Sequence, residues 1–309
     1  MIKKSLKFIL AGIFMIAASL FGQSLVQPTP TNRLSNASAR VPIGTGDNIG
    51  IGGFVLKGTG SKWVLMRGVG PLLGLTPFNI PGSLQDTQLS VFQGNTRIIY
   101  NSHWNNDPKI QDVASQVGAF PLPLFSDDSA SLAELTTNGS NNAFTCQLAG
   151  ANGKTGIGMV EIYDASGNFE APWIINMSMR AVGGTGNDVL IGGFVIDGTG
   201  TKNVLIRGVG PTLASMGLSA ATLNLDPRIV VLNNKAQVIA SNDDWWTGGL
   251  GINGEPLAQT MSRLGAFPLP SDSKDSALAL QLGAGSYTVH VQAVTGPGGV
   301  ALVEIYDGN

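Results

Sequence analysis

Five consecutive residues, Asn242-Asp243-Asp244-Trp245-Trp246, hold the densest run of ligand-type side chains in this 309-residue chain. Carboxylate and amide oxygens are hard donors of the kind Ca²⁺ takes, with backbone carbonyls completing the shell. The same side chains also cap backbone N–H groups in plain solvated turns. Asn242, Asp243 and Asp244 therefore read either as a calcium site or as an acidic turn. Trp245 and Trp246 close this loop, and Trp104 closes an earlier counterpart, NSHWNND (101–107). An exposed indole offers a broad apolar face to a sugar ring, whereas a buried one lids a core. The earlier loop lacks the adjacent acidic pair, so any calcium belongs to the later one.

Signals for catalysis are weaker. His103 and His290 are the two histidines of the chain. No Gly-x-Ser-x-Gly elbow is present to frame a Ser-His-Asp site. Cys146 shares a strand face with Phe144 and Leu148 and reads as a small buried hydrophobe, not a nucleophile. Asp243, Asp244 and Glu255 could serve a carboxylate-based glycoside hydrolase, which is the minor alternative; the expectation is no catalytic residues. The Gly-rich GTG and RGVGP stretches lack the Lys-Ser/Thr and βαβ order of phosphate loops. Arg67 and Arg207, embedded in apolar runs, need a carboxylate or carbonyl partner. Glu161 and Glu304 are expected to face solvent or to cap a sheet edge.

The elements that must position these residues repeat. GTGDNIGIGGFVLKGTGSKWVLMRGVGPLL (44–73) matches GTGNDVLIGGFVIDGTGTKNVLIRGVGPTL (184–213) at 20 of 30 positions, at an offset of 140. VGAFPLP (117–123) matches LGAFPLP (264–270), and MVEIYD (159–164) matches LVEIYD (302–307). Two copies of this size fit the length. YTVHVQAV (287–294) alternates, with Tyr287, Val289, Val291 and Ala293 on one face. VLIGGFVI (189–196) and NVLIRGVG (203–210) read as central strands, with DGTG (197–200) as a hairpin turn between them. Short helices are expected only near 112–118 and 256–264. Short strands with Gly turns predict an all-β chain of two tandem β-sandwich, jelly-roll-like domains, each burying its own core.

Residues 1–22 read as a cleaved signal peptide. Lys3, Lys4 and Lys7 precede an apolar run, Phe8 to Phe21, too short for a comfortable membrane span. The expected organisation is a linker over 23–33, repeat one over 34–167, a linker over 168–175 and repeat two over 176–309. One Cys excludes an internal disulfide. A formal net charge of −2 gives no electrostatic footprint for nucleic acid.

DPRIVVLNNKAQVIASNDDW (226–245), DSALALQLGAGSYTVHVQAV (275–294) and VALVEIYD (300–307) together resemble the bacterial pre-peptidase C-terminal (PPC-like) β-sandwich family. Its pattern D-x-x-L-x-L-x-x-x-x-G-x-x-I-A-x-N-D-D, then L-x-x-G-x-Y-x-V-x-V, is matched by Asp226, Asn242, Asp243, Asp244, Gly285 and Tyr287. Lys235 to Gln237 stand where the family has its turn glycine. The resemblance implies a jelly roll, export and an accessory role, sometimes with calcium, and no catalysis. The expectation is a secreted, non-catalytic binding or structural protein. Its partner would be a polysaccharide held by Trp104, Trp245 and Trp246, or another secreted protein. No cofactor is required, with calcium on Asn242, Asp243 and Asp244 as the option in repeat two.

Overall fold

The computed structural model describes residues 31–46, 48–184, 189–296 and 298–308. The expected signal peptide (1–22) and most of the expected first linker lie outside them. The chain is all-β and antiparallel. Copy one supplies β1 (Asn32–Ile43), β2 (Gly50–Lys57), β3 (Thr59–Val69), β4 (Thr87–Gln93), β5 (Thr96–Asn101), β6 (Ser129–Asn138), β7 (Asn142–Gly150) and β8 (Gly156–Asp164). Copy two supplies β9 (Trp173–Gly183), β10 (Leu190–Val209), β11 (Pro227–Leu232), β12 (Val238–Asn242), β13 (Ser276–Ala293) and β14 (Gly299–Asp307). Two short helices, α1 (Pro108–Gln116) and α2 (Leu257–Arg263), occupy equivalent places in the copies. Asp107 caps α1 through Lys109 N, with Pro108 in the first turn, where its missing N–H costs nothing.

Hydrogen bonding runs through one 14-stranded sheet folded into two leaves. One leaf runs β5-β4-β7-β2-β9-β14-β10-β13, the other β12-β11-β13-β10-β1-β8-β3-β6. β10 and β13 appear in both because each is long enough to cross between them. The DGTG stretch is therefore not a hairpin turn. It is the corner at which β10 changes leaf, with Gly198 and Gly200 at φ 106° and 76°. A positive φ suits glycine and lets the strand bend without a break. β3 and β10 press on the opposite leaf at Gly68 and Gly208. A Cβ there would come within 2.6 Å of Leu148 Cδ1 and 2.5 Å of Ile229 Cγ2.

Each copy supplies four strand segments to each leaf, so the expected tandem sandwiches are present, but they are not self-contained. β1 pairs with β8 of its own copy on one side and with β10 of copy two on the other. β9 likewise pairs with β14 of its own copy and with β2 of copy one, so the sandwiches join edge to edge in both leaves. Of the residues expected as linkers, Asn32 and Arg33 belong to β1, and Trp173, Ile174 and Ile175 belong to β9. One central core gathers Phe54, Val160 and Ile162 of copy one with Phe194, Val289 and Val303 of copy two. Alternation could show which face of each strand is buried, but not which copy lies opposite. Two smaller clusters cover the outer faces. Trp104, Ile110 and Tyr163 pack with α1 on one leaf, and Leu257, Met261 and Tyr306 pack with α2 on the other.

Candidate functional site

The repeated motifs turn out to bind one another. Arg67 Nε lies 2.8 Å from Glu161 Oε2, and Tyr163 donates to Glu161 Oε1 at 2.7 Å. Arg207 Nε donates to Glu304 Oε2 at 2.8 Å, and Tyr306 donates to Glu304 Oε1 at 2.9 Å. All six side chains are buried. Glu161 and Glu304 therefore do not face solvent. Strand alternation suggested exposure, but helix and loop cover this outer face. Each Arg also donates to a GAFPLP carbonyl, Phe120 O at 2.7 Å and Phe267 O at 2.6 Å. Burial pushes the Tyr163 and Tyr306 phenols well above their ordinary range, and the adjacent carboxylates add to it. A buried ion pair of this kind fixes geometry more than it adds stability.

A second pair of carboxylates had no sequence signal beyond its alignment. Asp128 accepts from Gly70 N at 2.7 Å, and Asp275 accepts from Gly210 N at 2.8 Å. Asp128 also accepts from Leu72 N and Ser126 Oγ, and Asp275 from Thr212. Each satisfies the backbone N–H groups of the RGVGP turn. Burial raises the Asp128 carboxyl, against the lowering effect of these hydrogen bonds. The matched residues are thus a framework, and the ligand chemistry has to be sought on the loops it holds.

Those loops place the three tryptophans differently. Trp104 is 2% exposed, and its indole Nε1 donates to Pro123 O at 3.1 Å. It lids the core and has no face free for a sugar, which removes it from the expected binding set. Trp245 does the same work in copy two, half-buried, with Nε1 donating to Pro270 O at 2.8 Å. Trp246, one residue on, is 56% exposed. Its neighbours in the loop, Asn242, Trp245 and Thr247, are each hydrogen-bonded through their side chains.

Asn242 is committed at both ends of its amide. Oδ1 accepts from Ala277 N at 3.0 Å, and Nδ2 donates to Asp244 O at 2.9 Å. Asn101 makes the first of these bonds in copy one, to Ala130 N, at 3.0 Å. Asp244 pairs with Lys274, Nζ to Oδ1 at 3.0 Å, and Asp243 is exposed. Among the described residues no group of three or more His, Cys, Asp or Glu is gathered in a way that could hold a metal ion. Glu255 pairs with Arg263 at 2.8 Å and accepts from Thr260, so it does not meet Asp243 or Asp244 in a shared carboxylate site.

The other chemical candidates are also accounted for. Cys146 is fully buried and its thiol is pushed up to about 12 by burial, so the sequence reading of an inert residue fits. His103 Nε2 lies 3.1 Å from Asp127 Oδ1, and Ser102 Oγ lies 3.0 Å from its Nδ1. His103 and Asp127 are exposed, on two different loops, and Ser102 beside them is half-buried.

One exposed aromatic had no sequence signal. Phe125 is 86% exposed and adopts φ 62°, a left-handed conformation costly for a bulky residue. Its N–H is held by Asn106 Oδ1 at 2.7 Å. Phe120 and Leu124 beside it in sequence are also exposed. Copy two has Ser271 and Asp272 where copy one has Leu124 and Phe125, so the fold itself does not require the ring.

No protein-family model and no curated protein matches the chain. Among solved structures, the tandem CBM51 modules of a family 98 glycoside hydrolase from Streptococcus pneumoniae align over 87% of this chain and 81% of theirs. Their identity is 7% and the TM-score 0.22. A DUF4785 family protein from Legionella pneumophila aligns over 91% of this chain and 81% of its own, at 9% identity and TM-score 0.26. PNGF-II aligns over 89% of this chain and 60% of its own, at 12% identity and TM-score 0.20. At such scores neither fold family nor function transfers. No helix among the described residues is long and apolar enough to cross a membrane.

Proposed function

We propose that this chain is an exported, non-catalytic binding protein whose held loop aromatic, Trp246, stacks on a polysaccharide. The observation that carries the reading is the contrast between Trp245 and Trp246. The first is bonded into the framework, and the second is 56% exposed immediately beside it. An aromatic ring presented on a fixed support loses little conformational freedom when it binds. The reading needs no metal, because Asn242 and Asp244 are already engaged in holding the loop.

The test is depletion of the protein from solution by insoluble cellulose, chitin, xylan and starch. Retention on at least one polymer is expected, together with a fall of about tenfold in affinity for Trp246→Ala, the loss of about 1.4 kcal/mol. Retention that ignores Trp246→Ala, or no retention on any polymer, overturns it. A second reading, pairing with another secreted protein, is favoured by the apolar group Phe120, Leu124 and Phe125. Clustered exposed apolar side chains of this kind mark interaction surfaces.

A further inference from the structure

The two edge-to-edge junctions between the copies obey the same rules in both leaves. β1 pairs with β10 so that Ala37 faces Phe194 and Arg40 faces Ile191. β9 pairs with β2 so that Met177 faces Phe54 and Arg180 faces Ile51. These registers are identical at the offset of 140 that aligns the copies. The irregularities match too: the ladder skips Ser35 in β1 and Ile175 in β9. A bulge kept at the same place in both copies fixes register and is a feature of the fold, not a defect. The two copies are therefore related as the subunits of a two-fold dimer paired edge to edge, connected by the short stretch from Ala165 to Pro172.

Where these two first strands meet, the copies differ. β1 brings Ala37 and Ala39 to the core at the positions where β9 brings Met177 and Met179. The two strands lie in opposite leaves, yet their Cα atoms approach within 8 Å. Packed sheets usually stand about 10 Å apart. Small residues on one strand and long flexible ones on the other fill this narrow gap. Two copies of β1 would leave a void there, and two copies of β9 would overfill it.

We propose that each copy is the other's binding partner: the copies associate through the paired edges β1–β10 and β2–β9 without needing the covalent connection, and the core favours unlike over like pairing. These edges are the interface, and the partner each half fits is the other repeat.

The test begins with the full chain carrying a protease site inserted after Gly167, an exposed turn residue. After cleavage the halves are expected to migrate as one native species and to part only in denaturant. Halves unfolded together and refolded are expected to give unlike pairs in about tenfold excess over like pairs by native mass spectrometry. Folded half-length monomers, or a statistical mixture of pairs, overturn the proposal.

A second measurement needs no cleavage. In the intact chain Ala37→Met/Ala39→Met and Met177→Ala/Met179→Ala are each expected to lower the urea midpoint. Combining all four, which exchanges the two strands' core residues, is expected to recover most of the loss. Additive losses in the combined variant overturn the complementarity.

Discussion

Lys274 Nζ lies 3.0 Å from Asp244 Oδ1, on the same two loop positions where copy one sets His103 against Asp127 at 3.1 Å. The acid is on the earlier loop in copy two and on the later loop in copy one. What persists is a polar bridge between the loops, and its polarity is free to reverse. This gives the acid of the NDD sequence a structural use that needs no ligand. The charge reversal Asp244→Lys/Lys274→Asp is therefore expected to keep the melting temperature, while Asp244→Lys alone lowers it by placing two cations together. Equal losses in both variants would refute the bridge.

The same relationship bears on calcium. With Asp244 paired and the Asn242 amide committed, the melting temperature is expected to be the same in millimolar Ca²⁺ and in EDTA. A bound ion would raise it by mass action on the folded state. A rise of several degrees in Ca²⁺, abolished by Asp243→Asn, would restore the metal reading.

Removal of one partner from the Arg207–Glu304 pair leaves a buried charge with no counter-ion. Glu304→Gln is expected to cost about 3–5 kcal/mol in urea unfolding, and Glu161→Gln a similar amount in copy one. A loss below about 1 kcal/mol in both would mean that the carbonyls of Phe267 and Phe120 suffice.

The tryptophans should separate cleanly by stability. Trp104→Ala empties a core position and is expected to cost about 3–5 kcal/mol. Trp246→Ala is expected to stay within about 0.5 kcal/mol of the parent, as for exposed positions generally. The stability measurement is independent of any polysaccharide, so it also qualifies Trp246→Ala as a fair probe of binding.

His290 supplies a pH signature. Burial, with a lesser contribution from Arg40, holds its imidazole below the ordinary value of 6.5. The unfolded chain then takes up the proton more readily than the folded one as pH falls through 6.5, so stability is lost on the acid side. Copy one has Gln147 at this strand position. His290→Gln is expected to lose less stability than the parent between pH 7 and pH 5, roughly the span in which an ordinary imidazole titrates. Parallel curves for the two proteins would show that His290 titrates alike folded and unfolded.

Much of the local structure was legible in the residues. The alternation at 287–294 buried Val289 and Val291, and Leu278 and Leu282 point to the core as their spacing requires. The two short helices stand close to where they were expected, at Pro108–Gln116 and Leu257–Arg263. Arg67 and Arg207 found carboxylate partners, as buried guanidinium groups must. These are properties of a few neighbouring residues, and period and chemistry are enough to read them. The exposure assigned to Glu161 and Glu304 failed because alternation separates two faces without saying what covers the outer one. Trp104 failed as a platform for the same reason: a loop aromatic reads alike in sequence whether it lids a core or meets solvent.

The sequence by itself determined that strands dominate the chain, that it is duplicated, and which side chains most strands turn inward. Those follow from period-2 alternation and from identity at a fixed offset, both local quantities. Only the tertiary structure decided that β1 and β9 join the two copies edge to edge and that DGTG is a corner. It also decided that Trp246, and not Trp104, presents a free ring. Strand pairing joins residues far apart along the chain, and two copies with nearly the same strands offer each first strand two matching neighbours. Nothing in either strand's own pattern distinguishes them. The choice is made where the core closes, by Ala37 and Ala39 on one side and Met177 and Met179 on the other.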